Sequence, residues 1–216
     1  RLREPELDDL LRGYFLLRDP VGTSSAAQSA HGSYFDRVSA FQDGFDDGPE
    51  ACRDDFGPER VFTQGEFETD EEFATPGNAD YGYVVGALVP SLSDTWDQAF
   101  REIFREPFTP PDVEAFSREA PGCARAADLD LVFCPEEQLV TYDRRDLAQP
   151  AYQDIGDFAV VTAVAIPYAQ AVRDQLGLSD VDPEGVRSAV CLTGWYAAKV
   201  YNGQAGLTIS PGDLDE

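Results

Sequence analysis

The sequence predicts an α+β protein that is mostly helical, with one small β-hairpin and a helical N-terminal segment. Apolar residues recur at helical spacing in several long segments, whereas strict alternation is confined to the stretch around residues 129–142. Hydrophobic residues make up 43% and aromatic residues 12% of the 216 positions, which is enough for a packed core. We expect a helical segment with an acidic linker over residues 1–80 and the main domain over residues 81–216.

The N-terminal segment carries two helical patterns. Residues 5–17 place apolar side chains at helical spacing after an acidic start, which favours a helix N-terminus. Residues 34–54 line Phe35, Val38, Phe41 and Phe45 along one face, which is typical of a helix packed on a core rather than of a ligand site. Residues 60–63 fit a short strand. Residues 66–80 are acidic and rich in turn formers, so we expect an exposed linker.

The main domain begins with a helical pattern over residues 83–104, which we expect to break at Pro90 and restart with Ser91 as N-cap. Prolines exclude a long helix over residues 106–122. Two alternating segments follow and predict a hairpin, and two strongly apolar helices come after them. The strands are predicted at residues 129–133 and 138–142, with the turn at 134–137, and the helices at residues 158–176 and 183–201.

The charge is strongly one-sided, because 16 Lys+Arg stand against 41 Asp+Glu, for a net charge of −25. Such a chain repels nucleic acids and anionic lipid, so we expect no nucleic-acid partner. A basic or cell-surface protein partner fits it, and adaptation to salt explains the charge equally well. No stretch of about 18 apolar residues occurs, so no transmembrane segment is expected in these residues.

Four cysteines, Cys52, Cys123, Cys134 and Cys191, occur without a CxxC pair. In an exported protein this even number predicts two disulfides, and four cysteines allow three pairings; in a cytosolic protein they would be reduced core residues. The composition favours an extracellular or cell-envelope location, with any signal or anchor segment outside these residues.

Five short motifs stand in the C-terminal part: LVFCP at 131–135, VTYD at 140–143, GDFA at 156–159, CLTGW at 191–195 and SPGDLDE at 210–216. They occur in the same order as those of the bacterial neutral zinc metallopeptidases. Residues 128–216 therefore resemble that family, and the resemblance implies a zincin-like fold for the main domain.

The chain departs from this family where zinc should bind. The family's active-site helix carries two histidines four residues apart and a glutamate general base between them. The corresponding positions here are Ile166, Gln170 and, for the base, Pro167. Val186 stands at the family's third ligand, and Val190 replaces the aspartate before the cysteine.

The whole chain has one histidine, His31, in a loop of small residues, so a site with two histidines is excluded within one chain. Pro167 would also remove a backbone hydrogen bond from the helix and cost about 3 kcal/mol or kink it. The resemblance therefore implies a catalytically inactive pseudo-protease without cofactor, acting as an exported binding or scaffold protein or as a subunit of a cell-surface assembly. The alternative is a divergent hydrolase whose metal is held by carboxylates alone.

The resemblance also implies a disulfide between Cys123 and Cys134, which leaves Cys52 and Cys191 as a second pair. We further expect Ile166, Val186 and Val190 to be buried where the two C-terminal helices meet, with Gln170 bonded to a neighbour or at the edge.

Asp180, Asp182, Glu184 and Gly185 follow the start of an EF-hand loop, but its twelfth position is Cys191. An acidic start to the following helix explains these residues better.

Overall fold

The computed structural model describes residues 4–57, 60–127, 129–179 and 182–216. It is a mixed α+β structure with 56% helix, 7% strand and one small three-stranded sheet, so the expected mostly helical class is confirmed. The chain divides into two compact units. The first comprises Arg1–Asn78 and Ser210–Asp215, and the second comprises Ala79–Ile209 and Glu216.

The first unit contains four α-helices within its described residues. They are α1 (Glu4–Leu17), α2 (Tyr34–Asp46), α3 (Pro49–Asp54) and α4 (Asp70–Ala74). The single helix predicted over residues 34–54 is divided because Gly48 adopts φ 80° and Pro49 begins a new helix. The predicted linker at residues 66–80 is mostly exposed, but it includes α4.

The strand predicted at residues 60–63 does not form. The Thr63 N–H, which would pair with a neighbouring strand, instead donates to the Asp36 carboxylate at 2.8 Å. The Thr63 hydroxyl donates to the same carboxylate at 2.9 Å. The same Asp36 forms a capping box with Ser33 at the start of α2. Asp215 accepts the next two amides, those of Tyr34 at 3.1 Å and Phe35 at 3.0 Å. Carboxylate–amide bonds therefore fix the start of α2.

The second unit packs five α-helices and one sheet, counting its described elements. In chain order they are α5 (Tyr81–Ala99), β1 (Asp112–Phe116), α6 (Gly122–Ala127), β2 (Leu131–Cys134), β3 (Leu139–Asp143), α7 (Gln149–Asp154), α8 (Asp157–Gln175) and α9 (Pro183–Tyr201). Single π-helical turns follow α5 at Phe100–Phe104 and precede α7 at Arg144–Ala148. The central strand β3 pairs antiparallel with β2 and parallel with β1.

The predicted hairpin is confirmed as β2 and β3, with Phe133 opposite Val140. The two C-terminal helices are confirmed as α8 and α9. The predicted break at Pro90 is wrong, because α5 runs through it. Asp80 caps this helix by accepting the amides of Gly82 at 2.8 Å and Tyr83 at 3.2 Å. Pro167 likewise lies inside an unbroken α8, although its nitrogen cannot donate to the carbonyl four residues earlier.

The core of the second unit surrounds α8, whose neighbours are α5, α7, α9, β2 and β3. Its interior is dominated by large side chains that are almost completely removed from solvent. The largest of them are Trp96, Tyr168, Tyr196, Phe100, Leu88 and Leu92.

One buried polar contact fastens α5 to α9. The Ser91 hydroxyl lies 2.6 Å from the Tyr196 hydroxyl and donates to the Ala205 carbonyl. Because a carbonyl can only accept, the single hydroxyl proton of Ser91 is committed to it, and Tyr196 must donate to Ser91. Burial raises the pKa of Tyr196 to about 12, so this phenol keeps its proton at neutral pH. Ser91 is thus a core connector, not the N-cap that the sequence predicted.

The Ser91→Ala variant leaves both the Tyr196 hydroxyl and the Ala205 carbonyl buried without this partner. We expect it to lower the free energy of unfolding by about 1–3 kcal/mol. Tyr196→Phe is the control, since Ser91 then still donates to Ala205, and its cost should be smaller. Urea denaturation followed by tryptophan fluorescence reports on this unit, because Trp96 and Trp195 both lie in it. An unchanged free energy of unfolding in Ser91→Ala would contradict the assigned direction of the Tyr196–Ser91 hydrogen bond. A larger loss in Tyr196→Phe than in Ser91→Ala would contradict it as well.

Candidate functional site

The α8 segment that corresponds to the zinc motif is packed as core. Pro167 is buried, whereas Gln170 and Ile166 are half-buried, so the predicted full burial of Ile166 is wrong. Between them Tyr168 is completely buried, and its hydroxyl lies 3.1 Å from the Ser93 hydroxyl. Burial raises the pKa of Tyr168 to about 12. This part of α8 therefore presents an apolar, neutral surface to its neighbours.

The α9 positions contradict the expectation of a filled-in core. Val186 is 43% exposed and Val190 is 52% exposed, so the predicted burial of these two side chains is wrong. The physical reason is helical geometry, because α9 has one buried face and each valine follows a residue of that face by one position, or about 100° around the helix. The buried face consists of Gly185, Ala189, Thr193, Tyr196 and Val200.

The isoleucine and the valines that stand at the metallopeptidases' motif positions do not supply the chemistry that zinc requires. Neither isoleucine nor valine offers a donor atom, and Val186 and Val190 point away from the packed face of α9. Within the described residues of the second unit, Cys123, Cys134 and Glu137 do come close enough to share an ion. Their two sulfur atoms are joined to each other, however, and a disulfide offers no thiolate.

The disulfide between Cys123 and Cys134 is confirmed at a Cα–Cα distance of 5.9 Å, and it ties α6 to β2. It closes a loop with a sequence separation of 11, and rings of this size stabilise a fold by about 2 to 3 kcal/mol in the chain-entropy account. Cys52 on α3 and Cys191 on α9 are exposed free thiols in this structure, and their pairing stays a prediction.

The two other candidates that the sequence offers are the EF-hand-like residues at the start of α9 and His31. Asp182 caps α9 by accepting the Gly185 amide at 2.7 Å, as an acidic helix start requires, while Asp180 lies outside the described residues. His31 is a loop residue whose side chain is 70% exposed, with Nδ1 3.7 Å from Asp19. Burial raises the pKa of Asp19, but amide bonds from His31 and Gly32, with Gln64 and Arg37, lower it overall.

An apolar groove between α1 and α2 is the feature of the first unit that the sequence did not reveal as a site. We call it the α1–α2 groove; it holds about 170 Å³ and is lined by Leu7, Leu11, Val38, Phe41, Gln42, Phe45 and Asp46. The ring of Phe41 lies 5.8 Å from that of Tyr14 and 5.7 Å from that of Phe45. The aromatic stripe of α2 thus packs against α1, but it does not close into a core.

The first unit keeps much of its apolar surface in solvent. Among its described residues, Ala51 is the one apolar side chain that is buried. Leu16 is 83% exposed, and Leu17 and Phe45 are also exposed. Large apolar side chains are therefore exposed on both α1 and α2.

No protein-family model, curated protein sequence or solved structure matches this chain. The likeness to zinc metallopeptidases therefore depends on the motif residues alone. Among the described residues, no helix has both the length and the apolarity of a membrane span.

We expect the purified chain to retain no stoichiometric zinc, because Ile166, Gln170 and Val186 offer no imidazole or carboxylate. Elemental analysis after dialysis against a weak chelator measures this. The double variant Ile166→His/Gln170→His serves as the comparison, since it introduces two histidines four residues apart on one helix and should bind zinc more tightly than the unmodified chain. About one zinc bound per unmodified chain would contradict the expectation.

Proposed function

We propose that this chain is an exported, non-catalytic binding or scaffold protein that has the fold of a zinc metallopeptidase without its metal chemistry. The observation that carries the proposal is the state of the five former functional positions. Two of them, Val186 and Val190, lie exposed on α9. The other three, Ile166, Pro167 and Gln170, are partly or fully enclosed on α8.

The arrangement of α8 supports a non-catalytic role. A catalytic zinc needs three protein ligands and an open fourth position that water and substrate can reach. Here the residues around Tyr168 pack against neighbouring elements, and the Tyr168 hydroxyl is hydrogen-bonded to the Ser93 hydroxyl. Export is supported by the Cys123–Cys134 disulfide, because such bonds persist in oxidising compartments.

The binding surface we propose is the α1–α2 groove, and its occupant is an amphipathic helix of a partner protein with basic residues beside its apolar face. The groove is apolar inside, so it suits one or two anchoring side chains. Asp46 lines the groove, and three further acidic residues are exposed on the elements that flank it: Asp9 on α1, Asp47 directly after α2 and Glu50 on α3. This charge pattern favours lysine and arginine on the partner and disfavours an acidic helix.

A synthetic helix of leucine on one face and lysine on the other tests this surface. We expect it to bind the full chain, and Phe45→Ser to weaken binding by about tenfold or more, because burying a Phe contributes about 1.5–3 kcal/mol. Phe45 is 53% exposed in the free protein, so the substitution should leave the fold intact. Fluorescence anisotropy of the labelled peptide measures the affinity.

Phe73→Ser is the matched control, since Phe73 is 75% exposed in the same unit but lies on α4, outside the groove. A peptide with glutamate in place of lysine controls for charge. Equal binding of the two peptides, or equal weakening by both variants, would reject the groove as the docking site.

A further inference from the structure

A pocket whose lining side chains can all donate hydrogen bonds opens at one edge of the sheet in the second unit. It holds about 420 Å³, and we call it the arginine pocket. Its lining residues are Ser117, Arg118, Arg144, Arg145 and Gln149. No carboxylate is among them, although the chain carries 41 acidic and only 16 basic residues. A cluster of three arginines without a carboxylate is therefore unusual in this acidic sequence.

The topology of the sheet brings these residues together. Strands β1 and β3 run parallel and end in register, with Phe116 opposite Asp143. Arg118 and Arg144 follow these two strand ends, so they leave the sheet at the same edge, where the carboxyl ends of parallel strands commonly hold ligands. The buried Asp143 carboxylate accepts the amides of Arg145 at 2.7 Å and Asp146 at 2.8 Å. It thereby fixes the turn that carries two of the arginines.

The guanidinium groups of this pocket are available to a ligand. The side chains of Arg118, Arg144 and Gln149 form no hydrogen bond or ion pair with the part of the chain that the structure describes. Arg145 meets Asp146 at 3.6 Å, but these side chains are 67% and 62% exposed, so the pair is weak. Other arginines of this acidic chain have closer partners, for example Arg60 with Asp43 at 2.7 Å.

We propose that the arginine pocket binds a phosphate group carried by a small molecule. Guanidinium groups match phosphate oxygens with paired hydrogen bonds, and a doubly charged phosphate relieves the mutual repulsion of three arginines better than a single carboxylate does. The pocket volume exceeds that of the bare ion, which leaves room for the group that carries the phosphate.

The net charge of −25 does not prevent this binding. Charges farther away than about 8 Å are largely screened at physiological salt. The three arginines outnumber the two carboxylates of this turn, Asp143 and Asp146, so the local charge is positive. A nucleic acid, with a phosphate at every nucleotide, would extend beyond the pocket onto acidic surface. One isolated phosphate avoids that repulsion.

Isothermal titration calorimetry with inorganic phosphate and with glycerol phosphate, in chloride buffer at constant ionic strength, tests the proposal on the full chain. We expect saturable binding at one site. The double variant Arg118→Gln/Arg144→Gln should bind at least about tenfold more weakly. Arg101→Gln is the matched control, since Arg101 is also 67% exposed and lies in the same unit, on the turn after α5. It should bind as the unmodified chain does.

Gln149→Glu is a second variant that keeps all three arginines and places a carboxylate in the pocket, so it should also lose binding. Tighter binding of glycerol phosphate than of inorganic phosphate would indicate an esterified ligand, and equal binding would indicate the free ion. The absence of saturable binding, or an equal loss in Arg101→Gln and the double variant, would overturn the proposal.

Discussion

The burial of most of α8 is the constraint on which the second unit depends. Twelve side chains of this 19-residue helix are buried, including Val160, Val161, Val164 and Val172. A helix with so much apolar surface has to pack against several other elements, because little of it is suited to water. Its neighbours are α5, α7, α9, β2 and β3, and α5 and α9 are joined to each other by the Ser91–Tyr196 contact. The same demand for burial encloses Tyr168, whose hydroxyl lies 3.1 Å from that of Ser93.

The two units are stabilised by different interactions. The second has an apolar core, whereas the described part of the first relies on carboxylates that accept backbone amides, with Asp19, Asp36 and Asp215 each serving several donors. Such bonds use the abundant acids of this chain as structural groups, and charge-assisted hydrogen bonds are about twice as strong as neutral ones. They do not remove apolar surface from water. Leu16, Leu17 and Phe45 are left exposed, and this is why the proposed partner surface lies in the first unit.

The sequence predicts elements well where local signals agree, and less well where distant contacts decide. Helical periodicity with Pro183 at the start defines α9, and strict alternation defines the hairpin of β2 and β3. Strand β1 could not be predicted, because five residues in a proline-rich stretch gain their pairing only from β3. Nor could the arginine pocket be predicted, since that parallel pairing is what brings Arg118 beside Arg144. The expectation for Val186 and Val190 failed because motif positions say nothing about which face of a divergent helix is packed.

The central claim is that α8 is a closed core element and not the wall of an open cleft. Hydrogen exchange of its amides tests this most directly, because core helices exchange only through the largest opening reactions. The account predicts that the amides of Val164, Ala165, Tyr168 and Ala169 are among the slowest in the chain and exchange with the free energy of global unfolding. Rapid exchange of these amides, at rates typical of exposed loops, would contradict it.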